Sequence, residues 1–266
     1  MKDKLKKILE IMHEYNSNSL AFHTFGVSND LEYDALVVAP GWKPTKIIVD
    51  KNYKVTELAT HSYTSSYLVE KGKYKILWIQ CASSAANLID HLIICAELKF
   101  KKLIFIGAVG SLNEKFEIGD ICTPSYSISG VYANAYFCEK LSDYKMFEKV
   151  YPNQDFINKV ISLAKQNGYN LKQGSVYCTD SIALEYYHLE EIKTYKTDLI
   201  EMETSSFYLL ADLLEVDAIA LLVVSDNSTL KQPLIGRNTE LEEKYNYGRK
   251  VIIPDLIYKI IKDLKD

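Results

Sequence analysis

The feature that most limits how this chain can fold is a repeated alternation of two patterns. Short apolar runs of strand length, 34-DALVVAP-40, 75-KILWIQC-81, 102-KLIFIG-107 and 217-DAIALLVVSD-226, are separated by stretches whose apolar residues recur at helical spacing. Residues 84–98 are such a stretch, with Ala85, Leu88, Ile89, Leu92, Ile93 and Ala96 on one face. Strands alternating with helices predict a mostly parallel sheet covered on both faces. Further helices are expected over 2–15, 154–168 with Gly168 as its cap, near 184–193, over 203–214 and over 239–265, where Pro254 kinks or splits the last one. Further strands are expected at 45–50, 173–179 and 198–202, with an extended segment at 119–130. No repeat or linker-like tract divides the chain, so one compact domain is expected.

Bulk properties exclude several functions. A net charge of −4 gives no electrostatic case for nucleic acid or an anionic membrane as partner. The opening MKDKLKKILEIMHEY reads as a charged amphipathic helix without a cleavable apolar core. The longest apolar run, 218-AIALLVV-224, is far short of the ~20 residues that span a bilayer. Five cysteines without a CxxC pair read as reduced thiols of a cytoplasmic protein, and the five histidines lack metal-ligand spacing. Of 31 basic residues only Arg237 and Arg249 are arginine. An anion site would therefore use lysine, backbone N–H groups, hydroxyls or one of those two.

In open α/β sheets ligands sit beyond the carboxyl ends of the strands. Those positions hold Pro40-Gly41, Cys81 to Ser84, Gly107 to Gly110, Tyr177 to Asp180, Glu201 to Glu203 and Ser225 to Asn227. The stretch 103-LIFIGAVGSL-112 reads as a strand entering a small-residue turn, which either cradles an anion or is only a turn. In 199-LIEMETSSF-207, Glu201 and Glu203 flank Met202 where a strand becomes a helix. Such a pair is either a solvated strand end or a carboxylate site suited to a vicinal diol. Asp226 ends an apolar strand, where it is either a turn residue or a proton donor whose pKa burial would raise.

Taken in order, these segments resemble the nucleoside phosphorylase/nucleosidase superfamily. IEMET resembles the family's Glu-Met-Glu segment, VVSDN its Ser-Asp segment, FIGAVGSLNEKFEIGDI its glycine-rich strand end, and VVAPGWKP stands where the family carries a phosphate loop. The resemblance covers roughly residues 34 to 262, with residues 1–33 as an N-terminal helical extension of a domain over 34–266. It implies a three-layer αβα single domain with a mixed, mostly parallel central sheet. It also implies cleavage of the N-glycosidic bond of a purine nucleoside, with inorganic phosphate as co-substrate and neither cofactor nor metal. Glu203 would hold the ribose hydroxyls, with Glu201 beside it. Met202 would pack under the sugar, and Asp226 would protonate the purine, with Ser225 beside it. Tyr177 would stack on the base. Phosphate would fall to Gly41, Lys43, Gly107 and Ala108. Family members are dimers or trimers of dimers, so a homo-oligomer is expected.

The chain departs from the family at phosphate. Phe105 and Ala108 replace an arginine and a hydroxyl residue, and 81-CASSAAN-87 lacks the family's glycines. The first loop, 39-APGWKPTK-46, has neither the phosphorylases' arginine nor the nucleosidases' water-activating glutamate. Phosphorolysis leads the expectation, with hydrolysis and a nucleoside-binding module as alternatives. Arg237 either closes over the site or lies at the surface.

Overall fold

The computed structural model describes residues 1–16, 20–61 and 64–264. In chain order the elements are α1 (Asp3–Tyr15), α2 (Leu20–Phe25), β1 (Glu32–Tyr33), β2 (Ala35–Pro40), α3 (Pro44–Ile47), β3 (Lys54–Thr60), β4 (Ser65–Lys71) and β5 (Tyr74–Cys81). Next come α4 (Ala85–Ile94), β6 (Lys99–Phe100), β7 (Lys102–Ser111), β8 (Ile121–Ser129), β9 (Lys149–Val150), α5 (Gln154–Gln166) and β10 (Leu171–Cys178). The chain ends with α6 (Leu189–Lys193), β11 (Leu199–Glu201), α7 (Thr204–Leu214), β12 (Asp217–Asn227), α8 (Thr239–Tyr247) and α9 (Ile253–Asp263).

Among the described residues these strands form a ten-stranded sheet in the order β11-β10-β8-β12-β7-β2-β5-β4-β3, with β9 on β8, and a separate β1–β6 pair. The central pairings β2–β5, β2–β7, β7–β12, β8–β10 and β10–β11 are parallel, whereas β3–β4, β4–β5 and β8–β12 are antiparallel. β11 also pairs with β7, so β11, β10, β8, β12 and β7 close on themselves.

Strand parity produces the layers, because successive side chains of a strand face opposite sides. Leu103 and Phe105 of β7 join Ala218, Ala220, Leu222 and Val224 of β12 in one core beneath α1, α4 and α7. Ile104 and Ile106 join Ile219, Leu221 and Val223 in a second core beneath α5 and α9. A strand buried on both faces cannot alternate polar and apolar residues, which is why these runs are continuously apolar. The result is the three-layer α/β arrangement with a mixed, mostly parallel sheet.

Helix α1 belongs to the first of these cores through Leu5 and Leu9. Its start is tied to the far end of α7: the Lys2 N–H donates to the Leu213 carbonyl at 2.8 Å, and Lys2 Nζ pairs with Asp212 at 2.6 Å.

The structure corrects the expected elements at four points. The strand expected at 45–50 is instead α3, started by Pro44, whose fixed φ suits the first helical turn. β3 and β4 have no counterpart among the expected strands; β3 is an exposed edge strand carrying Lys54, Thr56 and Glu57, so no apolar pattern marks it. The helix over 239–265 is α8 and α9 joined by a π-helical turn, Gly248–Ile252, with Pro254 in the first turn of α9. Finally, Gly107 and Gly110 do not form a turn: β7 runs straight through both to Ser111.

This last point places the site. β12 covers one edge of β7 along its length. On the other edge β2 pairs only as far as Val38↔Phe105, and β11 begins at Ile200↔Gly110. Between them the edge of β7 is uncovered by any strand among the described residues.

Candidate functional site

A cavity of about 150 Å³ occupies that gap, and Gly107, Ala108, Val109 and Gly110 of β7 form one wall. Asp226 reaches it because β12 carries a bulge. The register with β7 passes from Val224↔Val109 to Asp226↔Gly110, leaving Ser225 as an extra residue. Such bulges re-aim side chains at sheet rims. Asp226 is 7% exposed, and Ser225 Oγ donates to its Oδ1 at 2.7 Å. Burial raises its pKa above the ordinary carboxyl value, against the opposing effects of the Ser225 hydrogen bond and the Arg237 charge.

The glycines of β7 make room for side chains. A Cβ on Gly110 would lie 3.0 Å from Asp226 Oδ2 and 3.0 Å from Ile200 Cγ2; one on Gly107 would lie 3.1 Å from the Phe105 ring. Phe105 itself packs on Phe207 at 5.6 Å and forms cavity wall where a cation would be needed to grip an anion.

The β11–α7 junction supplies the opposite wall. Met202 and Glu203 both line the cavity. Glu203 is 5% exposed, and its Oε1 is buried without a hydrogen-bond partner. Burial, and then the neighbouring Glu201 charge, push its pKa well above the ordinary carboxyl value. Glu201 is also at the cavity, but its carboxylate accepts the backbone N–H groups of Glu203 (2.7 Å) and Thr204 (3.0 Å). It is Glu201, not Glu203, that satisfies the start of α7.

Of the residues predicted from sequence, Asp226, Ser225, Glu201, Met202, Glu203, Gly107 and Ala108 therefore come together around one cavity. Tyr177, Gly41 and Lys43 do not. Tyr177 packs instead against Tyr195 (5.4 Å) and Phe147 (6.3 Å), in a cluster with Ile200 and outside the lining. The Gly41 N–H already donates to the Cys81 carbonyl at 2.8 Å, with φ +69° at the turn. Lys43 stands before α3, outside the lining. Arg237 also lies outside: it donates to the Ser225 carbonyl (3.0 Å) and pairs with Glu242 (2.8 Å), so it braces the backbone behind Asp226. Both arginines stack on Tyr245, Arg237 at 4.3 Å and Arg249 at 5.0 Å.

The structure adds Glu185 and Tyr186, from the loop between β10 and α6. Burial, and then the Asp226 charge, raise the Glu185 pKa to about 7. The rule that ligands gather beyond strand ends pointed to this loop but stopped at Asp180, and residue 185 falls in the helix expected near 184–193, of which only Leu189–Lys193 forms. Among the described lining residues there is no lysine, arginine or histidine, while four are Asp or Glu. Larger hollows exist, including one of about 480 Å³ beside the far end of α7, but its Asp212 and Glu215 carboxylates are exposed.

A mostly parallel sheet, partly closed on itself, with a pre-formed acidic cavity at its strand ends defines an α/β protein whose pocket lies where such sheets bind small molecules. The comparisons make the class specific: the model of the phosphorylase superfamily matches residues 35–246, and the chain belongs to that family. It is 28% identical over 149 residues to a DeoD-type purine nucleoside phosphorylase of Streptococcus pneumoniae serotype 19F (strain G54), covering 55% of this chain and 58% of that one. It is 24% identical over 163 residues to a DeoD-type purine nucleoside phosphorylase of Brevibacillus brevis, covering 61% and 65%. The matched regions thus span less than two thirds of these curated relatives. Among solved structures, the fold is shared with the Campylobacter jejuni 5′-methylthioadenosine/S-adenosyl homocysteine nucleosidase (TM-score 0.68, 17% identity, 86% and 99% covered). It is shared too with the P. knowlesi homologue of P. falciparum PNP (TM-score 0.66, 15% identity, 91% and 94% covered).

Proposed function

We propose that this chain cleaves the N-glycosidic bond of a purine nucleoside, with water rather than phosphate taking up the sugar. One observation carries the choice: the cavity joins Glu203 and Asp226 but has no cationic side chain among its described lining residues. A purine leaves as an anion unless it is protonated, and a buried Asp226, whose pKa burial raises, is a suitable general acid at a ring nitrogen. The Glu203 oxygen without a protein partner is suited to the sugar hydroxyls. As the base departs the sugar becomes oxocarbenium-like, and such a centre accepts water readily.

Phosphate would meet Phe105 and Ala108 in an acidic hollow, and each charge-assisted hydrogen bond it lacks is worth about 1.5–3 kcal/mol. Phosphorolysis is the second reading, favoured by the activity named for the two bacterial relatives. The test is base release from inosine, adenosine and uridine with and without phosphate. Release from the purine nucleosides that is unchanged by phosphate supports the proposal. Release that requires phosphate rejects it for the second reading. No release, with a nucleoside still raising the melting temperature, would instead indicate a binding module.

A further inference from the structure

This inference deepens the reading proposed above and concerns the first glutamate of the Glu201–Glu203 pair. A free carboxylate beside a sugar site is usually taken as a second ligand for the hydroxyls, but Glu201 has little left to offer one. Its Oε2 accepts the Glu203 N–H at 2.7 Å and the Thr204 N–H at 3.0 Å. Its Oε1 accepts the Thr204 hydroxyl at 2.7 Å and the Cys178 thiol at 2.9 Å. A carboxylate has roughly four acceptor sites, and four donors of the protein occupy them.

The donors are themselves held. Ser127 lies 2.7 Å from the Thr204 hydroxyl, which, having given its proton to Glu201, accepts from it. The Ser205 N–H donates to the Cys178 sulfur at 3.3 Å. Cys178, Thr204, Ser205 and Ser127 are all buried and come from β10, α7 and β8. The network therefore ties three elements to one carboxylate, two residues from the unpartnered Glu203 oxygen.

We infer that Glu201 is a positioning residue: it caps α7 from the preceding strand, fixes the Met202–Glu203 peptide through the Glu203 N–H, and leaves the cavity ligand to Glu203 alone. Cys178 is its principal side-chain partner across the sheet. Burial and then the neighbouring Glu201 charge raise the Glu203 pKa, so removing that charge lowers it.

The experiment uses the full chain and the variants Glu201→Gln, Cys178→Ala, their double variant and Glu203→Gln. Melting temperatures come first. Glu201→Gln and Cys178→Ala each lower the melting temperature, and the double variant falls by less than their sum, because the two share one hydrogen bond. Base release from adenosine, 2′-deoxyadenosine and 3′-deoxyadenosine follows. The Glu201→Gln loss is the same for all three to within about twofold, whereas the Glu203→Gln loss shrinks about tenfold or more on a deoxynucleoside. The pH profile of Glu201→Gln loses activity at lower pH than wild type as Glu203 becomes free to ionise.

Additive melting shifts, or a Glu201→Gln loss that vanishes on a deoxynucleoside, would overturn the inference. If Glu201→Gln does not fold, Cys178→Ala carries the same substrate comparison. If no nucleoside is cleaved or bound by the wild type, the nucleoside reading fails, while the melting-temperature coupling still decides whether Glu201 is the cap.

Discussion

Two carboxylic acids in this cavity differ in what surrounds them, and the difference gives each a testable signature. Asp226 is buried, bonded to Ser225 and raised in pKa. If it is the acid that protonates the leaving base, Asp226→Asn keeps the shape and loses the transferable proton. Base release should fall about 10²–10⁴-fold in kcat, with KM moved far less. The wild-type rate should be level at low pH and fall as pH rises through the raised pKa, because the protonated form is the active one. Glu185 allows a separate check on stability. Its pKa rises from the ordinary 4.5 to about 7 in the fold. Ionising it is harder folded than unfolded, so its contribution to stability is complete below the unfolded pKa and is lost as pH rises towards 7. Glu185→Gln should therefore flatten the fall in melting temperature between about pH 5 and pH 7.5. An unchanged slope would mean that its surroundings are wetter than the cavity suggests.

At the scale of elements, the segment most open to misreading is β7. Glycines after an apolar run suggest a turn that cradles an anion, yet the strand continues and the missing side chains leave space for Asp226, Ile200 and Phe105. Gly110→Ala checks this directly. Its Cβ would meet Asp226 Oδ2 and Ile200 Cγ2 at 3.0 Å, so both must move. We expect a loss of about 1–3 kcal/mol in stability and a loss of activity of up to about 10²-fold from the displaced carboxyl. Full activity in Gly110→Ala would rule out a tightly placed Asp226. The strands buried on both faces, such as β2, β5 and β12, were legible as continuous apolar runs, and α4 by the helical period of its buried face. β3 and the start of α3 were not, since an exposed edge and a proline-started turn leave no apolar record. Site residues followed the same division. Asp226, Met202 and Glu203 stand at strand ends where topology gathers them, whereas Glu185 is brought in by loop geometry and Tyr177 is taken up by packing against Tyr195 and Phe147.

For the whole molecule, the question is how far the N-terminal helix and the cavity depend on each other. They meet opposite ends of one element. Glu203 immediately precedes the first residue of α7, while Met1 and Lys2 pair with Glu215 and Asp212 at its other end, at 2.8 and 2.6 Å. Those ion pairs are exposed and each is worth little, about 0–1 kcal/mol. What fixes α1 is burial: Leu5 is 0% exposed and sits in the core that also holds Phe207 and Leu210 of α7. Leu5→Ala should cost about 2–5 kcal/mol, seen as a lower melting temperature. α7 is 11 residues long, about 16 Å at the helical rise, so the hole left by Leu5 lies far from Glu203. The folded variant should then bind and cleave nucleosides with unchanged KM and kcat below its melting transition. A KM that rises in step with the lost stability would mean instead that α1 sets the angle of α7, and that the helix is part of the site's support.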